Sequence, residues 1–296
     1  LIDNESSIVA RTASARQARD LGLVLAAAGI RAVHSEMDGQ HLFSVADADA
    51  ARAREELTAY LTENPPPAPP VPPPRVIGRA LPGTVVFIVL LLLAWRLQSS
   101  LAGGYDWTSL GRVDGRAMLD GQWWRALTAL TLHGDFGHLA ANLFFGALFG
   151  GLAARYLGTG SAWLAVVVAG GLGNLANAWL QGPDHRSIGA STAVFAALGL
   201  LGAFVATHRR RGGALRWAER WGALIAAGAI LAYTGSGGER TDVGAHLTGF
   251  AGGALFGWGL AWTGRTGAGP AAFQVVCGLA AVGALVAAWA LALGTA

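Results

Sequence analysis

"SIGASTAVFAALG", residues 187–199, opens an apolar run that continues to about residue 207. That is the length a helix needs to cross a hydrocarbon layer of ~30 Å, yet Ser187, Gly189, Ser191 and Thr192 crowd its first turns. Ser and Thr in a membrane helix can return their hydroxyl to a carbonyl one turn back at little cost. Assigning chemistry to Ser191 therefore requires partners of the right type, at the same depth, elsewhere in the chain.

Composition sets the medium. Of 296 residues, 53% are hydrophobic and only 13% charged, with 43 Gly and 11 Trp. This balance is too apolar for a soluble domain of such size and suits a polytopic membrane protein. The formal charge of +3 rests on Arg alone, since the chain has no Lys. These Arg sit beside apolar runs rather than in a stripe that could follow a phosphate backbone, which argues against nucleic acid as a partner. Cys277 is the single cysteine, so neither an intramolecular disulfide nor a Cys-based metal site is available. The sequence opens at Leu1 without Met or a basic, apolar leader; a fragment or processed start is expected rather than a cleaved signal peptide.

Three regions separate. Residues 1–63 carry most of the acidic groups and read as a small soluble α/β domain. Its elements are a helix near 14–29, a hairpin of "IRAVHSE" and "HLFSV" about the turn "MDGQ", and a second helix from about Asp47 to Leu61 with Asp47 as N-cap. Within the linker 64–79, "PPPAPPVPPP" (residues 65–74) removes backbone donors and fixes φ, so an extended polyproline II spacer is expected. Beyond it, apolar runs predict seven spans, near 82–98, 137–157, 161–180, 188–207, 218–234, 243–263 and 271–294. Arg75, Arg79, Arg155, the cluster Arg209–Arg220 and Arg265 fall in loops on one side. The positive-inside rule makes that side cytoplasmic, together with the N-terminal domain.

Spans two, four and six then begin at the outer face, and each begins with polar residues. They are His133, His138 and Asn142 in "LHGDFGHLAANLFF", Gly189, Ser191 and Thr192 in the fourth, and His246 in "VGAHLTGFAGG". Taken singly, a membrane His or Asn most often bridges helices through a hydrogen bond. Three alternating helices that all bring such groups to one depth are explained more economically by a water-accessible site. His138 and Asn142 are four apart and share a helical face. A Ser needs a base, and an imidazole can take its proton and pass it to a leaving amine. An Asn amide, a His N–H and a backbone N–H at a helix start can stabilise an oxyanion. Ser191 and His246, backed by His138, Asn142 and the Ser191 amide, fill these roles. Ala245, Gly249, Gly253 and Gly257 form a small-residue stripe that lets another helix approach closely, and the fourth span suits as that partner.

"GQWWRALTALTLHGDFGHLAANLFF", "GASTAVFAALG" and "GAHLTGFAGG" resemble, in order and spacing, the signature regions of rhomboid intramembrane serine proteases. The resemblance covers residues 80–265. It implies an all-α six-helix membrane core there, with residues 266–296 as an additional C-terminal helix and residues 1–79 as accessory. It implies a Ser-His dyad of Ser191 and His246 that cleaves transmembrane segments of other proteins near the outer membrane face, with His138, Asn142 and Ser191 serving the oxyanion. By the same match, His133 retains water and hydrogen bonds near the site, Gly189 keeps the preceding loop close to substrate, and Trp124 and Arg125 are structural. Integral residence in a cell inner membrane is expected, with the bilayer and transmembrane substrates as partners and no identified partner for the N-terminal domain. No cofactor or metal is expected, since no HExxH occurs. Thr192 departs from the Gly that often follows the nucleophile, which puts the room beside the oxyanion in doubt. Two other readings are an inactive relative that binds membrane helices and a small transporter with a polar pathway; Asn174 and Asn177 are read as interhelical hydrogen bonds rather than as such a pathway.

Overall fold

The computed structural model describes residues 6–65, 79–210, 222, 225–229, 242–262 and 269–296. The chain divides into two units, Leu1–Pro69 and Pro70–Ala296.

The first unit runs β1 (Ser6–Thr12), α1 (Ala15–Ala27), β2 (Ala32–Met37), β3 (Gln40–Ala46) and α2 (Asp47–Glu63), with an antiparallel sheet ordered β1-β3-β2. Met37 pairs with Gln40, and Asp38 and Gly39 between them both take positive φ, 52° and 71°. This is the two-residue turn whose twist matches a hairpin. Leu21, Leu25, Ile30, Phe43, Val45 and Leu57 fill the core between helices and sheet. Two features differ from the sequence reading. Strand β1 was not expected; its register shifts between Ile8 and Ala10, which breaks the alternation that marks a strand. Asp47 is not the N-cap of α2, because the helix starts directly off β3 with Ala46 in the cap position. The Asp47 carboxylate instead accepts from Ser7 Oγ at 2.5 Å.

The second unit contains α3 (Ala80–Ser99), a loop region with α4 (Trp107–Gly111), β4 (Val113–Asp114), α5 (Gly115–Leu119) and α6 (Arg125–Thr128), then α7 (Phe136–Leu157) and α8 (Thr159–Gln181). Strand β5 (Arg186–Ser187), α9 (Ser191–Arg210), α10 (Val243–Trp262) and α11 (Ala271–Leu293) follow. Six of the seven predicted spans match a long helix; the fifth, 218–234, lies outside the described residues apart from 222 and 225–229. Among the described residues four helices, α3, α7, α8 and α11, are long and apolar enough to cross a membrane. The apolar window of α3 is 6% buried and that of α8 56%, so α3 is peripheral and α8 interior.

Helices α9 and α10 pack closely on each other, while Leu247, Leu255, Trp258 and Trp262 on the other side of α10 are exposed. A Cβ placed at Gly249, Gly253 or Gly257 would overlap the carbonyl oxygen of Thr192, Ala196 or Leu200 respectively. The matched steps of four in both chains mean that α9 and α10 run parallel, from starts at the same end. In return, Gly199 admits the Phe250 carbonyl. Helix α8 closes on the same point, with Gly173 against Gly249 and Thr192, and Gly170 against Ala193. Helix α11 docks on the start of α8, where Gly160 admits the Gln274 backbone and the Gln274 side chain accepts from Ser161 N at 3.1 Å.

Replacing Gly253 by Val forces α9 and α10 apart and is expected to cost about 1–3 kcal/mol, the usual range for overpacking. Gly259→Val, where nothing lies within 4 Å of the new Cβ, is expected to leave the melting temperature of the detergent-solubilised protein nearly unchanged. Equal melting of the two variants would contradict the close approach.

Candidate functional site

Three helix starts gather the polar residues singled out in the sequence. Asp135 caps α7, its Oδ1 accepting from His138 N at 2.8 Å. The cap fixes the first turn from which the half-buried His138 projects. One turn further on, Asn142 is 5% exposed, and its Nδ2 has no acceptor among the described residues. The loop before α9 is set by three backbone ties. Strands β4 and β5 pair through Val113–Ser187 and Asp114–Arg186, Gly115 N donates to His185 O at 2.9 Å, and Gly189 N donates to Ala129 O at 3.0 Å.

Gly189 has φ 137°, a conformation open to glycine and poorly to L side chains. A Cβ there would stand 2.7 Å from His138 Nε2 and 3.5 Å from Ser191 Oγ. The imidazole of α7 and the hydroxyl at the head of α9 therefore border one point in space. His246, on the first turn of α10, is 7% exposed and packs its ring on Phe195, centroids 4.4 Å apart at 41°. Phe195 lies one turn along α9 from Ser191 on the same face, so the His246 ring meets that face at Phe195.

His133 is fully buried, with its ring edge-on to His138 at 5.1 Å. Neither of its ring nitrogens meets full hydrogen-bond geometry with a partner among the described residues, although the Thr131 carbonyl lies close enough to favour the protonated ring slightly. Burial, followed by the neighbouring His138, pushes the His133 imidazole down to about 4, so it is neutral at neutral pH. Arg125 is buried and acts inward: Nε donates to Gln122 Oε1 at 2.7 Å, and Nη1 to the carbonyls of Ser109 and Arg112 at 2.9 and 3.1 Å. It binds α4, β4 and α6 into one body. The half-buried Trp124 packs edge-on to Trp123, with centroids 6.2 Å apart.

Thr192 turns away from His138. Its Oγ1 donates to Asn174 Oδ1 at 2.8 Å, Asn174 Nδ2 donates to Ala126 O at 2.8 Å, and its methyl contacts Gly173 and Gly249. The Thr192 side chain thus occupies the α8–α10 junction. Asn177 likewise bridges helices, donating to Asp242 Oδ2 at 2.8 Å. Asp242 Oδ1 accepts from Ala245 N at 3.0 Å, and Oδ2 faces His185 Nε2 at 3.1 Å. Thus the start of α10 is clasped to the loop that leads into β5 and α9.

Sequence reasoning missed this clasp and also Gln98. From α3, Gln98 donates to His133 O at 2.8 Å and to Thr108 Oγ1 at 3.0 Å, and accepts from His133 N at 3.2 Å. A Gln next to "SS" at the end of a span carries no signal by spacing; only its proximity to residue 133 gives it a role.

Residues 120–263 match the family model for the Rhomboid domain. The rhomboid protease GluP of Bacillus subtilis (strain 168) is 33% identical over 131 residues, which are 43% of this chain and 25% of GluP. YdcA of the same strain, provisionally named a rhomboid protease, is 29% identical over 136 residues, 46% of this chain and 66% of YdcA. Rhomboid-like protein 11, chloroplastic, of Arabidopsis thaliana is 39% identical over 74 residues, 25% of this chain and 26% of that protein. The chain thus spans from a quarter to just under two thirds of these relatives.

The neutral burial of His133 has a pH signature. Its folded value of about 4 lies below the ordinary 6.5, so the unfolded chain takes up a proton that the native site refuses. Stability is full above pH 6.5 and declines as pH falls toward 4. The melting temperature in detergent is expected to drop over that window, and His133→Gln to flatten the drop. An unchanged acid limb in the variant would remove His133 as its source.

Proposed function

On the premise that this integral membrane chain belongs to the rhomboid family by its match over residues 120–263, we propose that it is an active intramembrane serine protease. Ser191 is the nucleophile and His246 its general base. Ser191 Oγ attacks the scissile carbonyl of a locally unwound transmembrane segment, and the His246 imidazole takes the proton and returns it to the leaving amine. Water, activated by the same imidazole, then releases the acyl group from Ser191. His138, Asn142 and the Ser191 amide at the start of α9 face the oxyanion, where donors fixed in advance count most.

The observation that supports this reading most is the convergence at Gly189, which His138 Nε2 and Ser191 Oγ both border, together with the buried Asn142 amide one turn from His138, which has no acceptor among the described residues. A buried donor left unpaired is costly; a site that must receive negative charge explains the cost. In this reading residues 1–63 form a cytoplasmic domain, 64–79 a spacer, 80–265 the six-helix core and 266–296 an accessory span, in a cell inner membrane. Its partners are the bilayer and transmembrane proteins cut near the outer face.

A fluorophosphonate probe is expected to label the purified protein, and Ser191→Ala to abolish labelling while melting stays unchanged. Labelling that survives in Ser191→Ala would overturn the assignment. Asn142→Ala is expected to lower turnover of a model transmembrane substrate by about ten- to a thousandfold, with folding largely retained. A parallel loss of stability and activity would make Asn142 a packing residue instead.

A further inference from the structure

A cavity of about 690 Å³ runs between α3, α8 and α11, within the size range of small-molecule sites. Its walls are apolar, with Phe87 from α3, Val166 from α8 and Leu279 from α11 among them, and its inner end is formed by Thr131 and Ala190. At the other end the starts of all three helices meet. The Thr159 hydroxyl donates to the Arg79 carbonyl, and Gln274 accepts from Ser161 N. Arg79, Gly160 and Ala271 line the cavity there.

This end has an anion-binding character from three independent sources. None of the three helices has a side-chain hydrogen bond from its N-cap residue; Gln274 Oε1 serves the Ser161 amide of α8, which leaves the positive ends of α3 and α11 uncapped by their own N-cap side chains at this point. Arg79 forms no ion pair among the described residues. Trp163, one turn into α8 and 8% exposed, lines the same cavity, its indole N–H against Gly83 and without an acceptor among the described residues. The long side is open: Val275 and Leu279 on its α11 wall are 59% and 67% exposed. In a membrane helix those residues face acyl chains, so the solvent that enters this trough is lipid.

We propose that the cavity is a binding site for one anionic phospholipid, its phosphate at the three helix starts beside Arg79 and one acyl chain lying along the trough toward Ala190. Basic pockets between membrane helices favour such headgroups. The lipid would splice α3 and α11, which flank α8, and its chain end would lie beneath the residue that precedes Ser191. The site stands apart from the proteolytic reading, because it rests on groups that take no part in that chemistry.

The test uses the full-length purified protein in mild detergent, with bound lipid counted by native mass spectrometry. Phosphatidylglycerol is offered against phosphatidylcholine, and inorganic phosphate alone is a third arm. One phosphatidylglycerol is expected to bind about fivefold more tightly than phosphatidylcholine, as one added cation near a membrane surface provides. Arg79→Gln is expected to erase that preference, and Val275→Trp, which fills the trough from its exposed wall, to release both lipids. Val86→Trp serves the same purpose from α3 should Val275→Trp fail to fold. Equal affinity for the two lipids, or phosphatidylglycerol binding untouched by the Trp variants, overturns the proposal. So does competition by inorganic phosphate at full strength, which marks an anion site without a lipid. A dimer that the Trp variants dissociate also overturns it, by assigning the trough to a second copy of the chain.

Discussion

The approach of α9 to α10 governs the membrane unit. Lipid tails are as apolar as Leu, so burying hydrocarbon between helices gains little; dispersion and short polar contacts must supply the attraction. Both grow steeply as backbones approach, and only absent side chains permit that approach. Gly249, Gly253 and Gly257 present bare Cα atoms to the carbonyls of Thr192, Ala196 and Leu200. Because the three contacts share one register, they also fix the relative height of the two helix starts. Ser191 and His246 inherit their vertical placement from contacts made one to three turns deeper.

A second constraint concerns the segment between α3 and α7, whose short helices and turns leave backbone groups that water cannot satisfy in an apolar setting. The protein meets them from within. Arg125 serves the Ser109 and Arg112 carbonyls, Thr128 the Gly111 carbonyl at 2.6 Å, and Gln98 both backbone groups of His133. Trp289 of α11 donates to Thr131 Oγ1 at 3.1 Å, so the last helix supports the floor beneath His133.

Much of this was legible in the sequence, and the boundary has a physical basis. Span length follows from hydrocarbon thickness, so six helices were placed closely from apolar runs alone. The Asp38-Gly39 turn was readable because its backbone demands positive φ. The glycine stripe on α10 announced a close partner, and the fourth span was the right one. Strand β1 was hidden by a bulge, and Asp47 misled because a residue with cap chemistry was claimed by Ser7 from across the sheet. Gln98, Asp242 and His185 escaped for one shared reason: their roles arise from groups 35 and 57 or more positions away, and no local pattern encodes such a meeting. The doubt over Thr192 was likewise unanswerable until Asn174 appeared opposite its hydroxyl.

The buried polar groups then divide by whether they are satisfied. Thr128, Asn174, Asn177, Thr192 and Arg125 all donate to protein acceptors, and each fixes the position of a loop or a helix. Of six buried side-chain atoms without a partner among the described residues, three belong to His133 and Asn142, the two residues that sit on either side of His138 in the chain. A fold that satisfies its structural polar groups this thoroughly pays the desolvation cost of leaving others bare. Half of that cost falls on the two residues that flank His138, near where α7 meets the loop at Gly189, and half on Arg112, Trp124 and Trp163. Thr192 belongs to the satisfied set, since its hydroxyl donates to Asn174 Oδ1.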